Sequence, residues 1–210
     1  FEKKRGQFKQ VHEHYAGVIA KACSNTGVQR FVHISAAGIE ASKSKYAETK
    51  LAGERAVRAA YPAATILRPS VVFGPEDDFF NKFAKLTSLM PALPVIGDKD
   101  TKLQPVYVGD VASAVLKSIT LPEFGAGSPL GKTYELGGPE KLTLRQIYER
   151  IFTRIQRKRF IFTMPEFLAR VQAALFSVLP NPPLTNDQIT SLKTDNIVGP
   201  NALTLHDLGL

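Results

Sequence analysis

The chain has 210 residues, 44% of them hydrophobic and 22% charged, values of a globular protein that buries a real core; they exclude a disordered tail or a fibrous repeat. A single cysteine, Cys23, excludes a disulfide framework and any cysteine-based zinc site, and no stretch approaches the ~20 apolar residues of a membrane-spanning helix. Twenty-seven basic against nineteen acidic residues leave a net charge of +8, an excess that favours phosphates, nucleic acid or an anionic membrane surface.

The first residue is Phe1, not an initiator methionine, and Phe1–Arg5 resembles neither a signal nor a transit peptide; the chain is expected to be cut from a longer parent. Phe8, Val11, Tyr15, Val18, Ile19 and Ala22 recur at helical spacing, which predicts a helix over 8–25 with these residues as its apolar face and Gly27 as its stop. Phe31-Val32-His33-Ile34 has the form of a parallel strand buried on both faces. After the small-residue loop 35–44, Lys45–Ala60 reads as a second helix ended by Pro62, and Ala64–Arg68 as a strand stopped by Pro69. Helix, strand, helix, strand with short links is the pattern of a parallel sheet in an α/β fold.

Residues 75–104 form a long excursion with several prolines and a short helix over Asn81–Leu89. Pro105–Val108 reads as a strand, with Asp110 as N-cap of a helix over Val111–Thr120. The loop Gly125–Gly131 contains Pro129 and follows no strand into a helix, so it is a connection and not a phosphate cradle. A strand follows near Thr133–Leu136, then a helix capped by Thr143. Lys141–Phe160 holds seven basic residues against Glu149 alone, with Arg154, Arg157, Lys158 and Arg159 crowded together. Directly after them, residues 165–179 carry Phe167, Leu168, Val171, Leu175, Val178 and Leu179 at helical spacing. Three readings of this juxtaposition stay open: a helical lobe packed on the core, a protein-docking surface, or a membrane-surface anchor on anionic lipid. Nucleic-acid binding is not supported, because no recognised module appears and the aromatics do not interleave with the basic run.

Tyr46 and Lys50 stand four apart, one helical turn, on one face. A free phenol with a pKa of about 10 is a poor base at neutral pH; a neighbouring ammonium favours its phenolate and draws it toward the range of acid–base chemistry. Ser35 ends the strand before this pair, and Arg68-Pro69-Ser70-Val71-Val72-Phe73-Gly74-Pro75 follows it. His12 and His14 are expected to be solvated, and His33 a satisfied half-buried residue. Arg68 either reaches a phosphate or pairs with an acid, the sequence leaning to the structural role. No His/Asp/Glu spacing suggests a metal site.

In this order of motifs, with Val106-Tyr107-Val108-Gly109-Asp110-Val111-Ala112 after them, the chain resembles the short-chain dehydrogenase/reductase superfamily in its extended, atypical branch. The segment Thr26–Ser35, Arg68–Asp77 with Phe79-Phe80-Asn81, and the tail Leu179–Thr185, Asp187-Gln188 and Lys193–Asn196 are similar to one subgroup. That subgroup contains the nucleotide-binding accessory subunit of respiratory complex I and its bacterial relatives. The resemblance implies a truncated Rossmann-like, doubly wound parallel sheet over 1–122, with 75–104 as a substrate-lobe excursion, and a small, mainly helical C-terminal lobe and tail over 123–210. It implies NADP(H) or NAD(H) as cofactor, with Tyr46 and Lys50 on the nicotinamide ribose, Ser35 beside them, and Pro69, Ser70, Phe73 and Gly74 lining the nicotinamide. Complex I subunits are the implied partners, at the matrix or cytoplasmic side of the inner membrane. Catalysis through Tyr46, Lys50 and Ser35, as in an active reductase, epimerase or dehydratase, is the alternative. The chain departs from the family in three ways: it has no Gly-rich phosphate loop, Phe73 stands where the family has tyrosine, and Ser35 and Tyr46 are separated by a short gap in which Ala36 competes with Ser35 for the hydroxyl position.

Overall fold

The computed structural model describes residues 6–77, 79–97, 100–125, 127–177, 182 and 184–210. The opening run Phe1–Arg5, Val178 and Leu179 of the apolar pattern, and Pro180, Asn181 and Pro183 of the tail motif lie outside them. The predicted first helix opens as a π-helical segment, Lys9–Tyr15, and continues as α1, Ala16–Asn25. Its inward face differs from the one the periodicity predicts. Ala16, Ala20 and Cys23 pack toward α2 (Lys45–Ala60), while Val11, Tyr15, Val18 and Ile19 are each about half exposed. Small side chains let the two helices approach so closely that a Cβ on Gly17 would come within 3.2 Å of Ala56.

β1 (Val32–Ile34), β2 (Thr65–Pro69) and β7 (Thr133–Leu136) form a three-stranded parallel sheet in the order β1-β2-β7, with Ile34 opposite Leu67 and Pro69 opposite Leu136. All five residues of β2 are buried, as a central parallel strand requires. β1 is only half-buried, contrary to the expectation for Phe31–Ile34, because it is an edge of this sheet. Pro69 ends β2 from inside the strand: it lacks an N–H, yet its carbonyl still accepts from Ala37 N at 2.9 Å. α1 and α2 cover one face through Ala20 and Val57. α4 (Val108–Thr120) covers the other through Ala114, against Leu67, Tyr134 and Leu136. Helices on both faces of a parallel sheet make the doubly wound α/β arrangement expected from the sequence.

β3 (Val72–Phe73) pairs in parallel with β6 (Val106–Tyr107). The predicted strand 105–108 is shorter than expected because α4 already begins at Val108; Asp110 therefore lies in its first turn, and Tyr107 is the N-cap, without a side-chain hydrogen bond. The excursion holds α3 (Phe80–Leu89), β4 (Ala92–Ile96) and β5 (Lys102–Leu103). β4 pairs in parallel with β9 (Phe160–Met164), and β5 antiparallel with β8 (Leu142–Thr143), so the excursion is built into the C-terminal lobe. Thr143 caps α5 (Leu144–Arg154) as predicted, in a reciprocal box with Gln146. Contacts cross residue 122: β7 hydrogen-bonds to β2, and Leu208 sits in the core with Leu67.

α6 (Glu166–Phe176) and α7 (Asn186–Ser191) complete the lobe. α6 buries Ala169 and Ala173 against Ile189 of α7 and turns its large residues outward: Phe167 is 64% exposed, Leu175 69%, and Leu168 and Val171 about half. Phe160 of β9 is 80% exposed.

Candidate functional site

Ligands of open α/β sheets bind at the carboxyl ends of the parallel strands. Here Ser35 N donates to Leu67 O at 2.7 Å and Ser70 N to Leu136 O at 2.9 Å, continuing the ladders past the ends of β1 and β2. α2 runs back from that edge, so its first turns stand beside it. Lys50 Nζ donates to Ile34 O at 3.1 Å, which fixes the ammonium at the end of β1. Ser35, one residue on, is buried at 4% exposure, and its Oγ has no partner among the described residues. A buried hydroxyl without a partner is costly and rare. His33 Nε2 is orphaned in the same way, which corrects the expectation of a satisfied histidine. Its pKa falls to about 4, first through burial and then through the Lys50 charge.

Tyr46, one turn before Lys50, is half-buried with Phe8 and His12 against its ring, at centroid distances of 5.9 and 5.4 Å and near-perpendicular planes. Burial raises its pKa, so the expected lowering by Lys50 is not found: burial disfavours the Lys50 charge as well, and the ammonium is directed at a carbonyl. His12 is not the solvated residue its position predicted. It stacks on Phe8 and its Nδ1 lies 2.9 Å from Thr49 Oγ1. His14 remains exposed. The start of α2 is held by Ser44 Oγ, which accepts from Ala47 N at 3.2 Å. Asp187 of α7 adds a second acceptor, taking Lys45 N at 2.7 Å and Tyr46 N at 3.2 Å.

Of the residues after β2, Pro69 is buried in the strand. The Ser70 hydroxyl is committed to Asn196, donating to its backbone oxygen at 2.7 Å and lying against its side-chain oxygen; that removes it from the candidate ligand-binding side chains. Phe73 is partly exposed and packs against Phe80 and Tyr107 at 5.8 and 5.7 Å. Gly74 lies where a Cβ would come within 2.7 Å of Val108 Cγ1. Arg68 is structural: Nε and Nη2 form a fork on Glu54 at 2.8 and 2.7 Å, with Glu40 at 2.8 Å and Glu135 at 3.5 Å. Asn196 ties several segments together, since its Nδ2 also donates to Ala37 O at 2.8 Å and its backbone bridges Lys102 and Gln104.

His12, Asp187 and Asn196 were not read as site residues. Asp187 and Asn196 do lie in the tail motifs that carried the family resemblance, which was the available signal; nothing in the sequence marked His12. Among the described residues, no group of three or more His, Cys, Asp or Glu could hold a metal ion, and no helix is long and apolar enough to cross a membrane. A groove of about 510 Å³ lies elsewhere, along α5 between Gln146, Arg150 and Arg154.

The chain is similar over its whole length to the mitochondrial NADH dehydrogenase [ubiquinone] 1 alpha subcomplex subunit 9 of Arabidopsis thaliana, at 36% identity, and to that of Mus musculus, at 32%; it covers 54% and 55% of those proteins. The mitochondrial NADH-ubiquinone oxidoreductase 40 kDa subunit of Neurospora crassa matches at 30% identity over 99% of the chain and 53% of its own length. The chain thus spans about half the length of these curated relatives. Among solved structures, a dTDP-glucose 4,6-dehydratase of Bacillus anthracis in complex with NAD superposes with a TM-score of 0.65 at 17% identity, over 79% of this chain and 58% of that one. A UDP-glucuronic acid 4-epimerase of Bacillus cereus, solved with UDP-glucuronic acid and NAD, gives 0.64 at 18%, over 90% and 63%. These structures share the fold that the three-stranded sheet and its flanking helices display. Residues 1–192 match the model of the RmlD substrate binding domain, and the chain belongs to that family.

Proposed function

We propose that the chain is the nicotinamide-side part of a dinucleotide-binding accessory subunit of respiratory NADH:quinone oxidoreductase, one that holds NADP(H) or NAD(H) as a structural group. The observation that carries this reading is the end-to-end likeness to complex I subunits. The carboxyl edge of the sheet supports it: an orphaned buried hydroxyl and an ammonium lie close to one strand end, with Tyr46 one helical turn before that ammonium. In this reading Tyr46 and Lys50 hold the nicotinamide ribose, Ser35 supplies the unpartnered hydroxyl beside them, and Pro69, Phe73 and Gly74 line the ring, with Ser70 contributing backbone only. The dinucleotide, when bound, supplies a hydride donor or acceptor. A phenol pushed upward by burial is a weak proton acceptor at neutral pH, which favours holding over turnover. The expected result in the full-length protein is co-migration with complex I in native gels; a protein recovered only outside that complex would count against the assignment.

We further place the outward face of α6, with Phe160 and the basic run Arg154–Arg159, against an anionic membrane surface at the matrix or cytoplasmic side, which makes the protein peripheral. Large apolar residues beside excess positive charge support that partner.

A second reading is an active NAD(P)-dependent reductase. It draws on the likeness of 56% of the chain to a ceramide reductase of Caulobacter vibrioides, at 34% identity. In that case Tyr46→Phe in the full-length protein abolishes turnover while the dinucleotide stays bound; absence of any NAD(P)H oxidation with ketone or quinone substrates removes this reading.

A further inference from the structure

We propose that His12 is a positioning residue for Tyr46, fixing the plane of the phenol at the sheet edge and passing the charge state of its imidazole to that ring. The inference rests on the reading of Tyr46 as a ligand-contacting residue.

Four observations converge on it. The segment that carries His12, Lys9–Tyr15, is π-helical, a rare wide-turn geometry found mostly at functional sites. This segment is pressed onto α2 at Gly53, where a Cβ would come within 2.0 Å of His12 O; only a residue without a side chain permits that approach. Phe8 and His12 then stack, with ring centroids 4.9 Å apart, and both meet Tyr46 nearly at right angles, an arrangement that aromatic rings favour. Finally, the imidazole is oriented from its far side. Thr49 Oγ1 has carbonyl acceptors in Lys45 O and Tyr46 O, at 2.9 and 3.1 Å, and with its proton on either of them it accepts from His12 Nδ1, 2.9 Å away. Among the described residues, the titratable and charged groups on this segment and the elements packed against it include Tyr46, Lys50 and Glu54 on α2, His33 on β1, Lys9 and Glu13 on its own segment, and Asp187 at the Tyr46 amide. A proton on His12 adds a cation beside Lys50 and His33, and the phenyl and phenol rings are the surfaces that favour it. A proton on His12 therefore changes the electrostatic field at the Tyr46 ring, whose centroid lies 5.4 Å away.

The test uses full-length protein with 13C-labelled tyrosine, the Tyr46 signal being assigned by its loss in Tyr46→Phe. In wild type, the Tyr46 ring signal shifts between pH 5 and 8.5 with the midpoint of the His12 imidazole signal. That step is lost in His12→Phe and in His12→Gln. NADPH affinity falls roughly tenfold in His12→Gln, which keeps a polar group for Thr49 but loses the ring, and returns to near wild type in His12→Phe. A Tyr46 signal that stays flat while His12 titrates, or a His12→Gln variant that matches wild type in both readouts, overturns the proposal. The two readings fail separately: a His12-linked step in a protein that binds no dinucleotide sinks the proposed function and leaves this inference standing. A flat signal with intact binding does the reverse.

Discussion

Arg68 and Glu54 join β2 to α2 through a two-point ion pair whose side chains are both almost wholly buried. Neutralising one member leaves the other charged in a poorly solvated site, which costs about 3–5 kcal/mol. Glu54→Ala should therefore lower the stability of the protein by an amount of that order in urea unfolding, whereas Glu140→Ala, at an exposed and solvent-screened pair with Arg150, should leave it nearly unchanged. His33 gives a pH signature. Its folded pKa of about 4 lies below the ordinary value of 6.5, so the unfolded chain binds more protons between those limits. The contribution of neutral His33 is complete above pH 6.5 and is lost as pH falls toward 4. Urea midpoints at pH 7.5 and 4.5 should accordingly converge more in His33→Leu than in wild type. The placement of Tyr46 and Lys50 one turn apart on α2, and of Ser35 just past β1, was legible in the sequence because it follows from helical spacing and from the end of one strand. The upward shift of Tyr46 was not, since it depends on the burial that Phe8 and His12 create from another element.

Helix extents were legible and helix faces were not. α2 and α5 follow their caps and breakers closely, because Ser44, Pro62 and Thr143 act on neighbouring backbone. α1 inverts the orientation that hydrophobic periodicity implies, and in α6, whose orientation the sequence left open, the large residues also face outward; in both, alanines permit close approach to a neighbouring helix on the side that faces in. Two element-level predictions follow from such contacts. Gly53→Ala would drive a methyl into the His12 carbonyl, so the π-helical segment must move away from α2; amide exchange across Lys9–Tyr15 should accelerate by well over tenfold, while that of β2 is little changed. Asp187→Ala removes the carboxylate that takes two amides at the start of α2. Loss of a helix-start acceptor costs about 1–2 kcal/mol, and Asp187→Asn, which keeps an acceptor oxygen, should recover part of it.

Over the whole molecule, the parallel sheet with helices on both faces was legible from the alternation of elements. The join between the excursion and the C-terminal lobe was not, because β4 and β9 pair across a long sequence separation. The proposed membrane face, formed by α6 and the basic run, is tested at this scale. The expected behaviour of the full-length protein is sedimentation with vesicles containing phosphatidylserine, weakening as salt rises, and little association with neutral phosphatidylcholine vesicles. Phe167→Ser with Leu175→Ser should abolish it without changing the thermal midpoint, since both side chains are largely exposed. Arg154→Glu with Arg157→Glu should weaken it already at low salt and flatten its salt dependence, because fewer basic groups are left to meet the anionic surface.

The Asn196 hub has a consequence for how this polypeptide matures on the ribosome. Ser70 and Asn196 are 126 positions apart, and Lys45 and Asp187 are 142, so the clamp around the strand ends waits until residues 187–196 have been translated. Nascent chains fold from the N-terminus while synthesis continues, and α1, β1, α2 and β2 therefore emerge with their cleft unlocked. A chain stopped just upstream of position 187 keeps all three strands of the sheet, but its α2 lacks the Asp187 acceptor and its Ser70 lacks Asn196.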